Sequence, residues 1–297
     1  MTKLVRTGLI IVLALGVLGS ACLNGDRSAR PVVIGSKEFP EQFILAEIIA
    51  QYLEYEHIPV RRPFLKGDTH VLQEKLLHGE VDLYPEYTGT ALAEVLGISE
   101  QDGPATTFAR LRTQYGKWNL EWVSPLGFSN NFAVIMREED AQRAHVKTIS
   151  EAASYPSGWV IGVGREFVYR KDGLQGLVNT YGLPLKAPVL TVPSPNDLYK
   201  SLVEKRVDMV VGSMTDPFID ILGLTVLDDD RKYFPQYDAA LVVRTACLNS
   251  HPHLREALEK LSGKISDEEM RTMNHEVLSS SAEAVAKSFL LRTQLIK

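Results

Sequence analysis

The chain has 297 residues, of which 45% are hydrophobic and 23% are charged, and its formal net charge is -5. These fractions are typical of a globular protein, so they exclude long disorder, a collagen and a disulfide-built miniprotein. Because there is no excess of basic residues to neutralise phosphates, nucleic acid is excluded as an expected partner. Two cysteines are too few for a disulfide framework or a cysteine zinc site.

The first 21 residues have the pattern of a secretory signal peptide. Lys3 and Arg6 precede an uncharged apolar run at 8–18, and three small residues follow at 19–21. The run is shorter than the about 20 residues that a helix needs to cross a bilayer. We therefore expect an exported protein, in the periplasm or at the outer face of the cytoplasmic membrane.

Cys22 follows the small residues directly, as the lipidated cysteine does in bacterial lipoproteins. That resemblance implies a lipid anchor, although the apolar residue usual three positions earlier is Gly19 here. The alternative is ordinary cleavage after Ala21, which leaves a soluble exported protein. The polar composition of residues 22–31 predicts a flexible tether. The second cysteine, Cys247, is expected to be a buried small hydrophobe.

Beyond the tether, short apolar runs alternate with helical patterns, which predicts an α/β fold with mainly parallel sheets. A strand at 32–34 precedes a helix with Pro40 in its first turn, where proline is favoured. Later elements in chain order are a helix at 71–78 ending at Gly79, a strand at 81–84, a helix at 91–96, strands at 132–136 and 239–243, and two or three amphipathic helices within 251–291.

The second half of the chain repeats patterns from the first. Residues 159–162 resemble 32–35, and residues 202–209 resemble 76–83 at nearly the same offset. Chance similarity between common βα units is the alternative explanation. The repeat favours two lobes that face each other across a cleft. We expect one lobe to contain residues 32–126 and 236–297, and the other 127–235, with crossings just before Phe128 and near Pro235.

Three cationic or polar residues stand where predicted strands lead into helices. Lys37 and Thr90 lie beside helix N-termini, whose exposed N–H groups attract anions, so the two could share a carboxylate. Arg170 could add a guanidinium fork, which suits carboxylate geometry. For each charged residue taken alone, the alternative is a solvated surface charge.

Three aromatic residues, Tyr87, Phe132 and Tyr237, lie near predicted strand ends or lobe crossings. Rings in such places can surround a quaternary ammonium group, and each face contributes about 0.5–2 kcal/mol once desolvated. The alternative is that these rings belong to the hydrophobic core.

Several longer stretches resemble the solute-binding proteins of osmoprotectant ABC importers, the glycine betaine/choline/carnitine family. They are residues 35–42, 84–90, 125–128, 166–167 with 170–173, 234–235 with 239–244, and 263–270. The resemblance covers about 32–290 and is most specific in the stretch YPEYTGT at 84–90. It implies an α/β two-lobed type II periplasmic-binding fold with a ligand cleft between the lobes and two hinge crossings.

By position, the resemblance also implies roles for individual residues. Lys37, Thr90 and Arg170 would hold the ligand carboxylate, while Tyr87 and Tyr237 would be cage walls.

The sequence departs from the family pattern at three positions. Two usual tyrosines are replaced by Phe132, which keeps a ring face, and by Ser213, which does not. A lost face is worth about 0.5–2 kcal/mol, or up to about thirtyfold in affinity. A usual threonine is Pro40. A weaker binder or a bulkier ligand is therefore an open alternative.

The resulting hypothesis is an extracytoplasmic binding protein that delivers a quaternary amine to a membrane permease and its ATPase. The alternatives are a ligand-sensing receptor domain and a binder of another small zwitterion such as ergothioneine. An exported enzyme is disfavoured because the sequence contains no recognisable nucleophile, metal set or acid/base pair, and we expect no metal or cofactor.

Overall fold

The computed structural model describes residues 30–63, 66–98, 103–123 and 125–297. The predicted signal peptide, Cys22 and most of the predicted tether lie outside these residues. Within them, no helix is both long and apolar enough to span a membrane.

The first elements run from residue 32 to residue 122. In chain order they are β1 (Val32–Val33), β2 (Ser36–Lys37), α1 (Pro40–Tyr55), β3 (Val60–Arg61), β4 (Lys66–Gly67), α2 (Thr69–His78), β5 (Leu83–Tyr87), α3 (Thr88–Thr90), a π-helical turn (Ala91–Val95), α4 (Pro104–Gly116) and β6 (Leu120–Trp122).

The middle elements form a five-stranded sheet of their own, and the chain then returns to pair with the first elements. The middle elements are β7 (Phe132–Arg137), α5 (Glu138–Ala144), α6 (Ile149–Ala153), β8 (Ile161–Gly164), α7 (Arg165–Tyr169), α8 (Leu174–Tyr181), β9 (Leu190–Val192), α9 (Pro195–Val203), β10 (Met209–Ser213), α10 (Phe218–Ile221) and β11 (Leu224–Leu227). The returning elements are β12 (Ala239–Arg244), α11 (Thr245–Ser250), α12 (Leu254–Glu259), α13 (Asp267–Glu276) and α14 (Ala282–Arg292).

Four of the eight strand pairings in the described residues are antiparallel, so the expectation of mainly parallel sheets is wrong. The five-stranded sheet has the order β11-β7-β10-β8-β9, in which β7 is antiparallel to both of its neighbours. The three-stranded sheet β5-β12-β6 is entirely antiparallel. The reversed strands β7 and β12 are those that follow the expected crossings between lobes. An apolar run predicts a buried strand but carries no information on its direction.

The repeat in the sequence corresponds to a repeat in the structure. The backbone N–H of Val33 donates to a carboxylate oxygen of Asp82 at 3.0 Å, and that of Val160 donates to Asp208 at 2.8 Å. In return, the N–H groups of Asp82 and Asp208 donate to the carbonyls of Val33 and Val160, both at 2.8 Å. Equivalent strand and loop segments of the two lobes are thus joined by the same pair of bonds.

Local signals set several helix ends. Pro40 is the first residue of α1, and α2 ends at Gly79, whose φ of +76° is left-handed and favours glycine. The Thr148 side chain and Glu151 form a complete capping box at the start of α6. Cys247 is a free buried cysteine, as expected, and burial raises the pKa of its thiol to about 12.

The two segments in which we expect the chain to cross between lobes, just before Phe128 and near Pro235, run side by side. The N–H of Asn130 donates to the carbonyl of Tyr237 at 3.0 Å, and that of Ala239 donates to the carbonyl of Phe128 at 3.0 Å. The large apolar clusters lie to either side, and the half-buried rings of Phe132 and Phe234 pack against both clusters. The crossing is therefore where both cores meet.

Candidate functional site

An aromatic cluster lies at the meeting point of the two cores. The ring centroid of Phe132 is 5.4 Å from that of Tyr237 at an interplanar angle of 85°, and 4.9 Å from that of Phe167. Phe234 adds a fourth ring, 5.8 Å from Phe132. These are the edge-to-face and tilted contacts that aromatic quadrupoles favour. The structure thus brings together two of the three predicted rings, Phe132 and Tyr237.

Arg170 lies against this cluster. Its guanidinium carbon is 5.1 Å from the ring centroid of Phe132 and 6.0 Å from that of Tyr237, within the range of cation–π attraction. The guanidinium also donates twice to the carboxylate of Asp172, both times at 2.7 Å, and once to Glu166 at 3.2 Å. The predicted fork is therefore present, but Asp172 already occupies it.

Asp172 connects Arg170 to the ring of Tyr237. The hydroxyl of Tyr237 donates to Asp172 at 2.6 Å, and the Asp172 side chain is only 9% exposed. Burial first, and then the charge of Asp172, raise the pKa of Tyr237 above its ordinary range. Tyr237 therefore remains a neutral hydrogen-bond donor at physiological pH.

Lys37 and Tyr87 form a second cation–ring pair. The Nζ of Lys37 is 5.1 Å from the centroid of the Tyr87 ring and makes a 2.5 Å ion pair with Glu86. The side chains of Lys37 and Glu86 are 8% and 0% exposed, so the pair is buried. The ring of Phe39 stacks on that of Tyr87, with centroids 6.4 Å apart. As with Arg170, a buried carboxylate already neutralises the predicted clamp lysine.

Glu41 is the centre of a hydrogen-bond network below Tyr87. The Tyr87 hydroxyl donates to its Oε1 at 2.5 Å, and the Asn130 amide donates to the same oxygen at 2.8 Å. Its Oε2 accepts from Thr215 at 2.6 Å and from Asn274 at 2.9 Å. Burial first, and then the charge of Glu41, raise the pKa of Tyr87.

Ser213 belongs to the same network. Its hydroxyl donates to the side-chain oxygen of Asn130 and lies 2.9 Å from the hydroxyl of Thr215. A position at which the family pattern has a tyrosine ring is thus used here for a polar contact between β10 and the crossing segment.

Thr90 is buried on α3, one residue after Gly89. A Cβ on the preceding residue, Gly89, would lie 2.6 Å from a ring carbon of Tyr237, so α3 and this ring are in close contact. Lys37 is paired with Glu86 and not with a group that it shares with Thr90.

The charges of the site are more negative than the sequence suggested. Lys37 and Arg170 are each paired with a buried carboxylate, and Glu41 adds a third carboxylate whose four bonded donors are all neutral. Such surroundings favour a positively charged group at the ring faces. A ligand carboxylate would bind only where Lys37 or Arg170 exchanges its present partner.

A cavity of about 370 Å³ adjoins the aromatic cluster. This volume is within the usual range of small-molecule sites, about 300–1,000 Å³. Gly89 and Asp172 connect it with the cluster, and the basic residues Lys171, Arg231 and Lys232 line its outer part. None of the seven predicted ligand-binding residues lines this cavity, which adjoins Tyr237 through Gly89 and Arg170 through Asp172.

Sequence reasoning missed the acidic members of the site, Glu41, Glu86 and Asp172. The signals were present, because Glu86 immediately precedes Tyr87, Asp172 follows Arg170 by two residues, and Glu41 lies in the stretch 35–42. An acidic residue in the first turn of a helix usually has an ordinary explanation in the helix dipole. The burial of Glu41 could not be read from that position.

Comparison with known proteins places these features in a family. Residues 30–292 match the model of the substrate-binding domain of the ABC-type glycine betaine transport system. The ergothioneine transport permease/ergothioneine binding protein EgtU of Helicobacter pylori (strain G27) is 36% identical over 301 residues, which cover 98% of this chain and 53% of that protein. This chain therefore spans about half the length of EgtU.

Two further similarities cover nearly the whole length of both partners. The carnitine transport binding protein OpuCC of Listeria monocytogenes serotype 1/2a (strain 10403S) is 28% identical over 272 residues, covering 90% of this chain and 88% of that protein. A crystal structure of a glycine betaine/carnitine/choline ABC transporter protein superposes with a TM-score of 0.75 at 26% identity, covering 89% of this chain and 99% of that one. The expected two-lobed fold is confirmed, and the chain belongs to the family of substrate-binding domains of ABC-type glycine betaine transport systems.

Proposed function

We propose that this protein captures a small solute with a quaternary ammonium head and a carboxylate in the cleft between its lobes. It then delivers the solute to a membrane permease whose partner ATPase drives import. The observation that carries the proposal is the cluster of Phe132, Tyr237 and Arg170, in which a cation already lies against two ring faces.

The ammonium head would be held by Tyr87, Phe132 and Tyr237. A methylated ammonium ion has a diffuse charge and an apolar surface, so it interacts well with ring faces and needs no hydrogen-bond acceptor. The surplus of buried carboxylates around these rings stabilises a positive charge further. Ser213 would stand at the edge of the site, where it contributes polarity in place of a ring.

The ligand carboxylate would be held by Lys37, Thr90 and Arg170. Because Glu86 and Asp172 now neutralise the two cations, binding requires a partial exchange of partners. The contact given up and the contact formed with the ligand are both charge-assisted, so the exchange replaces one strong hydrogen bond with another.

Closure of the lobes would couple these contacts. We propose that residues 32–126 with 236–297 form one lobe and that 127–235 form the other. Lys37, Tyr87, Thr90 and Tyr237 then belong to the first lobe, and Phe132, Arg170 and Ser213 to the second. A ligand that contacts both groups binds the closed form more tightly and so shifts the population toward it.

Ergothioneine is the second candidate ligand, and the resemblance to EgtU favours it. Ergothioneine is itself a trimethylammonium betaine, to which an imidazole-2-thione ring is attached. Serine in place of tyrosine at position 213 is consistent with a bulkier ligand than glycine betaine.

Export and anchoring form part of the proposal. We propose that the chain is cleaved before Cys22 and that this cysteine carries lipid, which keeps the protein at the outer face of the membrane. Mass spectrometry of the mature N-terminus tests this, because ordinary cleavage leaves an unmodified thiol. A Cys22→Ser variant should then appear in the soluble exported fraction.

Calorimetry on the purified mature chain tests the ligand class. The titrants are glycine betaine, choline, carnitine and ergothioneine, with dimethylglycine as a control that lacks the permanent quaternary charge. Saturable binding of at least one quaternary amine, together with much weaker binding of dimethylglycine, is expected. Absence of heat from all four quaternary amines at millimolar concentration would overturn the proposed ligand class and leave the fold unaffected.

A further inference from the structure

Glu41 accepts hydrogen bonds from four parts of the chain that are far apart in sequence. Its donors are Tyr87 at the end of β5, Asn130 in the crossing segment, Thr215 after β10 and Asn274 on α13. The distances are 2.5, 2.8, 2.6 and 2.9 Å, and the residue is only 3% exposed.

We infer that Glu41 is a positioning residue that couples the orientation of the Tyr87 ring to the closure of the two lobes. It does so through Thr215, which approaches from the other lobe, and without contact to the solute itself.

The carboxylate of Glu41 lies where a negative charge is stabilised. Glu41 is the second residue of α1, so it stands in the first helical turn, where free N–H groups and the helix dipole stabilise a negative charge. A carboxylate at this place is stable in water as well. Opening of the lobes would therefore leave Glu41 hydrated and leave the helix intact.

The hydrogen-bond donors to Glu41 come from both sides of the proposed cleft. Tyr87 and Asn274 are in the sequence regions expected to form the first lobe, whereas Thr215 belongs to the second. The amide of Asn274 also donates to the carbonyl of Thr215 at 3.0 Å, so Thr215 is held at two atoms. Ser213, two residues earlier, is bonded to Asn130, which lies in the second lobe by the proposed bounds and also donates to Glu41. The end of β10 is thus fastened to the first lobe around Glu41.

The carboxylate of Glu41 has its hydrogen-bond acceptor sites filled. Two oxygens offer about four lone-pair sites, and four donors occupy them. Because one of those donors is the hydroxyl of Tyr87, any movement of Thr215 away from Glu41 changes the surroundings of a proposed cage wall. The closure of the lobes and the orientation of that ring are therefore linked through one side chain.

Replacement of Glu41 by glutamine disrupts the hydrogen bonds at this position and keeps the shape of the side chain. The amides of Asn130 and Asn274 donate to different carboxylate oxygens, and neither amide nitrogen can act as an acceptor. In the glutamine variant one of the two carboxylate oxygens of residue 41 becomes an NH₂ group. In either orientation, that group faces the amide nitrogen of Asn130 or of Asn274, which is also a donor. Glu38→Gln is the matched control, since it makes the same chemical change three residues earlier at an exposed position.

The test measures the distance between the lobes in the ligand-free protein. Spin labels at Lys117→Cys and Asn179→Cys, in a mature chain without Cys22, report this distance, while the buried Cys247 stays unlabelled. We expect Glu41→Gln to shift the population toward longer distances by about 10- to 100-fold, because hydrogen bonds to a charged group are lost. Glu38→Gln should match the wild type.

Thr215→Val provides a second test from the other lobe, because it removes the hydroxyl and keeps the shape. It should give a shift in the same direction, and the double variant should shift less than the sum of the two single variants. If Glu41→Gln does not fold, Thr215→Val alone decides the question. A folded Glu41→Gln or Thr215→Val protein with the distance distribution of the wild type would overturn the inference. Since no ligand is involved, this outcome is independent of the proposed substrate class.

Discussion

The guanidinium of Arg170 lies over the ring of Phe132, with its central carbon 5.1 Å from the ring centroid. In this structure a cation of the protein itself therefore occupies a position suited to a quaternary ammonium group. Asp172 holds that cation in place and also accepts the hydroxyl hydrogen bond of Tyr237. A bound ammonium head must use the remaining ring faces or displace Arg170, and both routes make affinity sensitive to the ring at position 132.

Phe132→Leu tests the contribution of that ring. The variant keeps a large apolar side chain and removes the π face, so the affinity for the quaternary amine should fall by about 2- to 30-fold. Calorimetric titration measures the change. Phe132→Tyr is the matched control, since it keeps the face and restores the residue usual in the family pattern, and it should bind as tightly as the wild type or more tightly. Equal affinity of the leucine variant and the wild type would contradict the role of the ring.

Asp172→Ala tests the buried ion pair below the cluster. The side chains of Arg170 and Asp172 are 4% and 9% exposed, so removal of the carboxylate leaves a buried cation without its main partner. The free energy of unfolding should fall by about 3–5 kcal/mol. Urea denaturation followed by circular dichroism provides the measurement.

Glu166→Ala is the control for this prediction because Glu166 also pairs with Arg170 but is 72% exposed. Its loss should change the free energy of unfolding by no more than about 1 kcal/mol. Similar losses in the two variants would show that burial does not determine the strength of these pairs.

Gly89→Ala tests the close approach of α3 to Tyr237. The added Cβ would lie 2.6 Å from a ring carbon, so the ring must move. We expect a loss of about 1–3 kcal/mol in unfolding free energy from overpacking, together with weaker ligand binding. Gly116→Ala, where a Cβ meets nothing within 4 Å, should be neutral or slightly stabilising. Unchanged stability and affinity in Gly89→Ala would contradict the assignment of Tyr237 as a rigid wall.

Asp216 should make stability depend on pH. Burial raises the pKa of its carboxyl to about 6, above the ordinary value of 3.8, even though the N–H of Phe218 donates to it at 3.0 Å. Between these two values the folded state binds more protons than the unfolded state, so this group's contribution to stability is lost as the pH rises through about 6.

Asp216→Asn should abolish that dependence. Relative to the variant, the wild type should lose about 2–3 kcal/mol of unfolding free energy between pH 4 and pH 7.5. Urea denaturation at several pH values measures the difference, and Asp220→Asn on α10, an exposed neighbour, serves as the control. Parallel pH profiles of the wild type and Asp216→Asn would contradict the raised pKa.

Much of the fold could be predicted because local signals agree with it. Pro40 and Gly79 bound helices as their backbone preferences require, and the capping pattern at Thr148 is complete in the structure. The antiparallel sheet around β12 could not be predicted, because its partners β5 and β6 precede it by more than 100 residues and strand direction leaves no mark in an apolar run.

The site could be predicted in its residue types but not in its pairings. Tyr237, Phe132 and Arg170 meet in the structure, whereas the roles that the resemblance implied for them toward a ligand stay predictions. The ion pair of Lys37 with Glu86 and the burial of Glu41 depend on how α1, β5 and the crossing segment pack together. Adjacent residues of a strand normally point to opposite faces, so nothing in the spacing indicated that the carboxylate of Glu86 would reach the lysine beside the Tyr87 ring.

The most direct test of the central claim is a crystal structure of the mature chain with the quaternary amine that binds most tightly in calorimetry. The account predicts the ammonium nitrogen within about 6 Å of the ring centroids of Tyr87, Phe132 and Tyr237, and the carboxylate in contact with Lys37, Thr90 or Arg170. An ammonium group bound elsewhere, with these three rings still packed against Lys37 and Arg170 alone, would contradict it.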